Sequence, residues 1–333
     1  MTNKLLIMPY YGHFPNYFQL WLDRIKCNPD IDLLLITDND MSEYNISAKN
    51  IIVMKKRLQT LREEISNVVG EQVNLKLGYK VKDYFPLYGE IFSKFITDGA
   101  YEWWGTIDTD VLLGNTEQFL NDIDLEGVDR ILGSGHLSFF RNTALLNTMW
   151  RDSRQENYAD LIPFRYIRKF NQVAAYNEYG WKWGKGFSTF MEKIGLKIKN
   201  NFPKADLDFN VCEFLVRKAN NEKLLISKII VNQSGMFMED AYGSLTEIMY
   251  VHLQKRKMCI DESLPKETSK FDIVPNALIT TGRKLSIKDL EKMNLAFYRN
   301  RNKRIWQTRW HNLSSDYILL RLLMVIRRFK ETT

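Results

Sequence analysis

Apolar residues recur at Phe14, Phe18, Trp21, Leu22 and Ile25, the spacing of one helical face. This stretch lies between two short apolar runs. Residues 4–8 lead into Pro9-Tyr10-Tyr11-Gly12, and residues 33–37 lead into Asp38-Asn39-Asp40. Both read as strands that run into loops. A third run at 51–54 precedes a helical pattern at 57–69. A further helix is expected at 86–96, where Pro86 suits the first helical position, and residues 101–107 supply the next strand. Strand, helix, strand, short strand, helix, strand is the rhythm of an α/β domain whose central sheet is mostly parallel and flanked by helices. In such sheets ligands bind outside the carboxyl ends of the strands. Three of those ends are Tyr10-Tyr11-Gly12, Thr37-Asp38-Asn39 and Asp108-Thr109-Asp110. Residues 145–200 read as mixed and helical, 260–283 lose periodicity and read as a loop, and the chain from 286 onward reads as helical. A main domain is therefore expected over 1–285, with a helical basic extension over 286–333.

Composition adds three constraints. The 333 residues carry a net charge of +7, but residues 299–330 hold nine Lys/Arg and only one acid, Asp316, so the body is close to neutral. A nucleic-acid binder would spread basic charge over its binding face; here the charge belongs to the tail, and no nucleic-acid partner is expected. Cys27, Cys212 and Cys259 are far apart and fit neither a disulfide framework nor a zinc site. No run of 18 apolar residues and no signal-peptide pattern appears, so a cytoplasmic location is expected. The 13% aromatic content suits sugar-binding clefts and ordinary cores alike.

The most informative stretch is Trp103-Trp104-Gly105-Thr106-Ile107-Asp108-Thr109-Asp110. Two carboxylates at the end of an apolar strand need a counter-charge where they are buried. A hard divalent cation, Mn²⁺ or Mg²⁺, would satisfy them and would bridge to a diphosphate. The plain alternative is a turn in which one Asp caps a helix. Asp206-Leu207-Asp208 is a second such tripeptide, but no comparable apolar strand precedes it.

The chain resembles GT-A glycosyltransferases, and within them bacterial capsule and O-antigen transferases that include β-1,3-galactofuranosyltransferases. The resemblance rests on Tyr10-Tyr11-Gly12 with Phe14-Pro15-Asn16-Tyr17-Phe18, then Thr37-Asp38-Asn39, then Lys80-Val81-Lys82-Asp83-Tyr84-Phe85-Pro86-Leu87-Tyr88-Gly89. It continues through the Asp108–Asp110 segment, Gly135-His136-Leu137-Ser138-Phe139-Phe140-Arg141-Asn142 and Tyr250-Val251-His252-Leu253-Gln254-Lys255-Arg256-Lys257-Met258, and covers roughly 4–258. Two positions depart from it: Phe85 stands where a basic residue is usual, and Asn177-Glu178 replaces Asp-Glu.

The resemblance implies a Rossmann-like catalytic domain that moves a sugar, galactofuranose or galactose, from a UDP-sugar to a lipid-linked or oligosaccharide acceptor. It implies Asp110 and His252 as metal ligands, with Asp108 on the metal or the ribose and Lys255 on the diphosphate. Tyr10, Tyr11, Gly12, Thr37, Asp38, Asn39 and Asp83 are expected around the nucleotide. Glu178 is the candidate general base of an inverting transfer. His136, Trp181 and Trp183 are candidate sugar contacts, with core packing as the alternative for the two tryptophans. The apolar run at 317–326, flanked by Arg309, Arg327, Arg328 and Lys330, suits peripheral docking on an anionic membrane. Two alternatives stand beside this: a sugar nucleotidylyltransferase, which normally has a glycine-rich basic loop after its first strand, and a non-catalytic assembly protein on the same fold.

Overall fold

The computed structural model describes residues 4–121, 125–154, 160–181, 183–217, 223–311 and 313–332, and leaves the side chains of 154, 181, 217, 311 and 328–332 outside that description. Strands β1 (Lys4–Pro9), β2 (Ile31–Thr37), β3 (Ile51–Lys55) and β4 (Trp103–Ile107) lie side by side in the order β3-β2-β1-β4, all parallel. β5 (Val111–Leu113) leaves this sheet. Beyond β4 come β7 (Leu137–Arg141), antiparallel to it, then β6 (Arg130–Ile131) and the short strand Ile198–Lys199.

The sequence dictates burial on both faces of the sheet. Alternate residues of a strand point to opposite sides. Leu6 and Met8 of β1 and Leu33 and Leu35 of β2 join one core with α1 (Phe18–Lys26). Leu5 and Ile7, with Leu34 and Ile36, join the other with α2 (Leu58–Val69). Continuous apolar runs are what a doubly covered parallel sheet requires. Truncating one of these leucines to Ala would cost about 2–5 kcal/mol. α2 stops at Gly70, whose φ of +81° closes the helix in the left-handed conformation.

A second sheet carries part of the site. The strand Lys204–Leu207 runs parallel to Tyr250–His252, which runs antiparallel to β5. A third sheet forms around the hairpin of Ile226–Asn232 and Gly235–Asp240.

Three expectations need correction. Pro86 does not open a helix over 86–96. It sits near the end of a 3₁₀ stretch, Gly78–Leu87, followed by two short helices, Tyr88–Ile91 and Ser93–Asp98. Burial on several sides of this stretch, at Lys80, Val81, Asp83, Tyr84 and Phe85, overrides a single helical face. Residues 260–283 are not a loop throughout, since Phe271–Val274 and Ala277–Ile279 pair as strands about Asn276, at φ +75°. Strands of three and four residues are too short to show a period. The Asp206-Leu207-Asp208 tripeptide, expected to follow no strand comparable to that before Asp108, has Asp206 and Leu207 inside a short strand, Lys204–Leu207, that pairs on both sides.

The extension is two helices, Ile287–His311 and Ser315–Thr332. Leu320 and Met324 of the last one enter the α2-side core, and Tyr317 meets Trp183 edge-on at 5.3 Å. No helix among the described residues is long and apolar enough to cross a membrane.

Candidate active site

From β1 the chain winds outward to β2 and β3, whereas β4 lies on the other side of β1. The carboxyl ends of β1 and β4 therefore flank the point where strand order reverses, the place where open α/β sheets hold ligands. A cleft of about 600 Å³ opens there, lined by Tyr10, Tyr11, Phe14, Tyr79, Lys82 and Lys257 together with Asp108-Thr109-Asp110. The end of β4 is fixed through its backbone. Asp108 N–H donates to the His136 carbonyl at 2.8 Å, and the Trp21 indole donates to the Asp108 carbonyl at 3.2 Å. Gly105 lets β7 come close, because a Cβ there would lie 1.9 Å from the Ser138 carbonyl oxygen.

Strand register brings in the remaining polar groups. Tyr250–His252 sets His252 opposite Val111 on one side and opposite Asp206 on the other. His252 Nε2 lies 3.3 Å from Asp110 Oδ2, and its Nδ1 lies 2.9 Å from Asp206 Oδ1. Burial disfavours the imidazolium, but Asp110 and Asp206 outweigh it and push the His252 pKa up to about 9. Burial also works against the Asp110 carboxylate, yet His252, Lys82 and Lys255 hold it well below the usual range. The His136 ring stacks on His252, centroids 4.3 Å apart, and its Nε2 is 3.0 Å from the Tyr250 hydroxyl. Burial and then the neighbouring His252 bring the His136 pKa down to about 3. The two stacked rings thus titrate on opposite sides of neutrality.

The turn after His252 is strained to reach Asp110. Gln254 and Lys255 both adopt left-handed backbone, at φ +53° and +55°, conformations that cost non-glycine residues of order 1 kcal/mol or more each. In return Leu253 N–H donates to the Asp110 carbonyl at 2.7 Å, and Lys255 N–H to Asp110 Oδ2 at 2.6 Å. The Lys255 ammonium lies over the Tyr79 ring, 4.0 Å from its centroid. Lys82 pairs with Asp108. Burial alone would lower the Lys82 pKa, but Asp108, Tyr79 and Asp110 raise it overall.

These donors fit a hard divalent cation. Asp110 Oδ2 and His252 Nε2 converge beside the cleft, with Asp108 two residues away, and carboxylate oxygen plus imidazole suits Mn²⁺ better than a soft metal. A second grouping, His136, Asp206 and His252, offers ligand atoms within 4.8 Å of one another. It shares His252 with the first. A metal-binding histidine is usually oriented by a carboxylate on its other nitrogen. Asp206 on Nδ1 does this, and it presents Nε2 to Asp110.

The sequence-predicted residues divide into three groups. Tyr10, Tyr11, Asp108, Asp110 and Lys255 line the cleft, and His252 and His136 stack beside it. Thr37, Asp38, Asn39 and Gly12 support its rim: Asn39 Nδ2 donates to the Gly12 carbonyl at 2.7 Å, and the Thr37 hydroxyl accepts Asn39 N–H. Glu178 is half-buried, and its Oε2 accepts Gly135 N–H at 3.1 Å, one residue from His136. Two assignments are corrected. Asp83 is 0% exposed, paired with Lys80, and accepts the N–H groups of Ala174 and Tyr176; it does not line the cleft. Trp183 is 3% exposed, inside the α2-side core against Tyr317. The Trp181 side chain lies outside the described residues. The reading missed Lys82, Tyr79 and Asp206. Lys82 lies inside a quoted motif, Tyr79 stands one residue before it, and Asp206 belongs to the second, less favoured tripeptide.

A family model described as a family of unknown function (DUF6625) matches residues 6–282. No curated protein matches the chain significantly. Among solved structures, a glycosyltransferase involved in the glycosylation of the major capsid of PBCV-1 is similar at 11% identity and a TM-score of 0.27, over 61% of this chain and 86% of that one. That likeness is too distant to carry over a fold or an activity.

Proposed function

The chain belongs to the DUF6625 family, and from the geometry of its own cleft we propose that it is a metal-dependent glycosyltransferase of the GT-A type. One observation carries the reading. Asp110 lines a cleft at the β1/β4 crossover that combines aromatic faces with lysines, and it contacts His252, which lies beside that cleft. A nucleoside diphosphate sugar needs the same set: a flat apolar wall for base and sugar, cations for phosphate, and carboxylates for a divalent ion. Asp108, Asp110 and His252 would hold Mn²⁺ or Mg²⁺, which supplies Lewis-acid stabilisation of the diphosphate.

In the reaction the acceptor oxygen bonds to the anomeric carbon, the bond from that carbon to the phosphate oxygen breaks, and the nucleoside diphosphate leaves with the electron pair. Lys82 and Lys255 bind the phosphates, and Tyr10 and Tyr11 bound the nucleotide. Glu178 takes the acceptor proton. Its Oε2 is held by Gly135 N–H, so Oε1 is the atom that receives it. UDP carrying galactofuranose or galactose is the donor this reading favours, and a lipid-linked or oligosaccharide glycan of a bacterial capsule or O-antigen is the acceptor. Exposed apolar side chains on the extension, Trp306 (59%) and Trp310 (69%) among them, together with Arg309 and Arg321, support peripheral contact with an anionic membrane.

The test is thermal stabilisation by UDP with and without Mn²⁺, because a ligand of the native state raises its stability. Stabilisation should need the metal and should vanish in Asp110→Asn while that variant stays folded. Equal stabilisation without metal would sink the reading.

A further inference from the structure

The helix Ile287–His311 meets the strained turn after His252 in a recess of about 260 Å³. Lys257, Asn300, Lys303, Arg304 and Gln307 bound it, and Lys255 with Lys257 also line the main cleft. Every charged side chain around the recess is a cation. Elsewhere the buried Lys4 and Lys80 each face a carboxylate. Here no carboxylate lies within ion-pair distance of Lys255, Arg256, Lys257, Lys303 or Arg304 among the described residues.

The guanidinium groups are only partly satisfied. Arg256 donates to the Asn276 side chain and to the Asp208 and Val211 carbonyls, and Arg304 donates to the Gln254 and Lys255 carbonyls. Each keeps a buried Nε with no partner. Burial lowers the pKa of both, with Arg304 adding to the effect on Arg256 and Arg301 to that on Arg304. The carboxylates that act on them, Asp208 on Arg256 and Asp110 on Arg304, lie beyond ion-pair distance. Crowded, desolvated cations without a direct partner are unfavourable, and a multivalent oxyanion would relieve them through charge-assisted hydrogen bonds.

We propose that this recess is a second anion site, separate from the donor-phosphate end of the cleft, and that it takes the phosphate or diphosphate of a lipid-borne acceptor. The proposal rests on the glycosyltransferase reading for the word acceptor, but not for the anion. Two features choose the occupant. The shared wall of Lys255 and Lys257 puts the recess next to the donor cleft. On the helix, Lys303 and Gln307 are four residues apart and run beside Trp306 and Trp310, which with Arg309 and Leu313 line an open groove. A phosphate seated at Lys303 would leave an attached hydrocarbon over those tryptophans.

Lys303 is exposed and lines the recess but not the main cleft, so Lys303→Glu should fold normally, as its melting temperature will verify. The full chain, titrated calorimetrically with inorganic pyrophosphate in EDTA, should show saturable binding that Lys303→Glu weakens at least tenfold. Mn²⁺-dependent binding of UDP should change less than twofold. Absence of pyrophosphate binding, or equal binding by the variant, overturns the site. Parallel loss of UDP binding makes the recess part of the donor cleft and overturns its separateness. Neutral phosphatidylcholine vesicles doped with geranylgeranyl diphosphate should retain the wild type and release Lys303→Glu; failure of this arm, with pyrophosphate still bound, overturns the lipid-borne source. If UDP fails to bind with Mn²⁺ while pyrophosphate binds, the glycosyltransferase reading falls and the anion site stands.

Discussion

Lys80–Asp83 and Lys82–Asp108 begin two residues apart on the same 3₁₀ stretch, and both are lysine–aspartate pairs. In the first, both side chains are 0% exposed and every neighbour is fixed: Lys80 also donates to the Gln172 carbonyl, and Asp83 also holds two backbone N–H groups. The second opens onto the cleft, and the Lys82 ammonium lies over the Tyr79 ring at 4.6 Å from its centroid. The difference is one of access. The sealed pair ties the 78–87 stretch to the 172–176 segment. The open pair keeps its charges exchangeable, so that a phosphate can compete for Lys82 and a cation for Asp108.

The largest expected effect breaks the sealed pair. Asp83→Ala leaves Lys80 charged and buried, and should destabilise the fold by about 3–5 kcal/mol in urea denaturation. A loss below about 1 kcal/mol would show that this pair is as dispensable as a surface one.

The next effect is a pH dependence on the open side. The folded pKa of His252 is raised from 6.5 to about 9. Its contribution is therefore fully present below about 6.5 and is lost as pH rises through 9, amounting to roughly 3 kcal/mol. Metal-free protein should melt lower at pH 9.5 than at pH 7, and His252→Gln should flatten that slope. The same contact seen from Asp110, whose pKa is depressed, protects only above the ordinary carboxylate range and is lost in acid. A slope unchanged in the variant would place the titration elsewhere.

The smallest effect is on binding. Lys82→Met should weaken UDP about tenfold, or about 1.4 kcal/mol, and shift folding stability by less than the sealed-pair variant does. Isothermal titration at fixed Mn²⁺ reads the first, denaturation the second. If the two variants lose stability equally, the contrast between the pairs is wrong.

What the sequence could reveal follows the same contrast. The parallel strands were legible to within two residues or so, because apolar runs buried on both sides leave little else to read. Asp108 and Asp110 stood out because such a run ends at them. Asp83 was expected at the cleft and Lys82 was overlooked, because a 3₁₀ turn of three residues aligns 80 with 83 and sends 82 elsewhere, whereas the sequence shows only three charged residues around Val81 with nothing to rank them. Asp206 was invisible for another reason. Its strand, Lys-Ala-Asp-Leu, is short and mixed, and only its register with His252 gives the carboxylate a task.

The contact between Trp183 and Tyr317 has a consequence for inheritance. Leu320 and Met324 complete the same core, and Arg327 reaches the Leu161 carbonyl at 2.8 Å. The last helix is a cork as well as a tail. A relative that dispensed with it would have to fill or repolarise the place of Trp183, so the residue at that position and the presence of the helix should change together across the family.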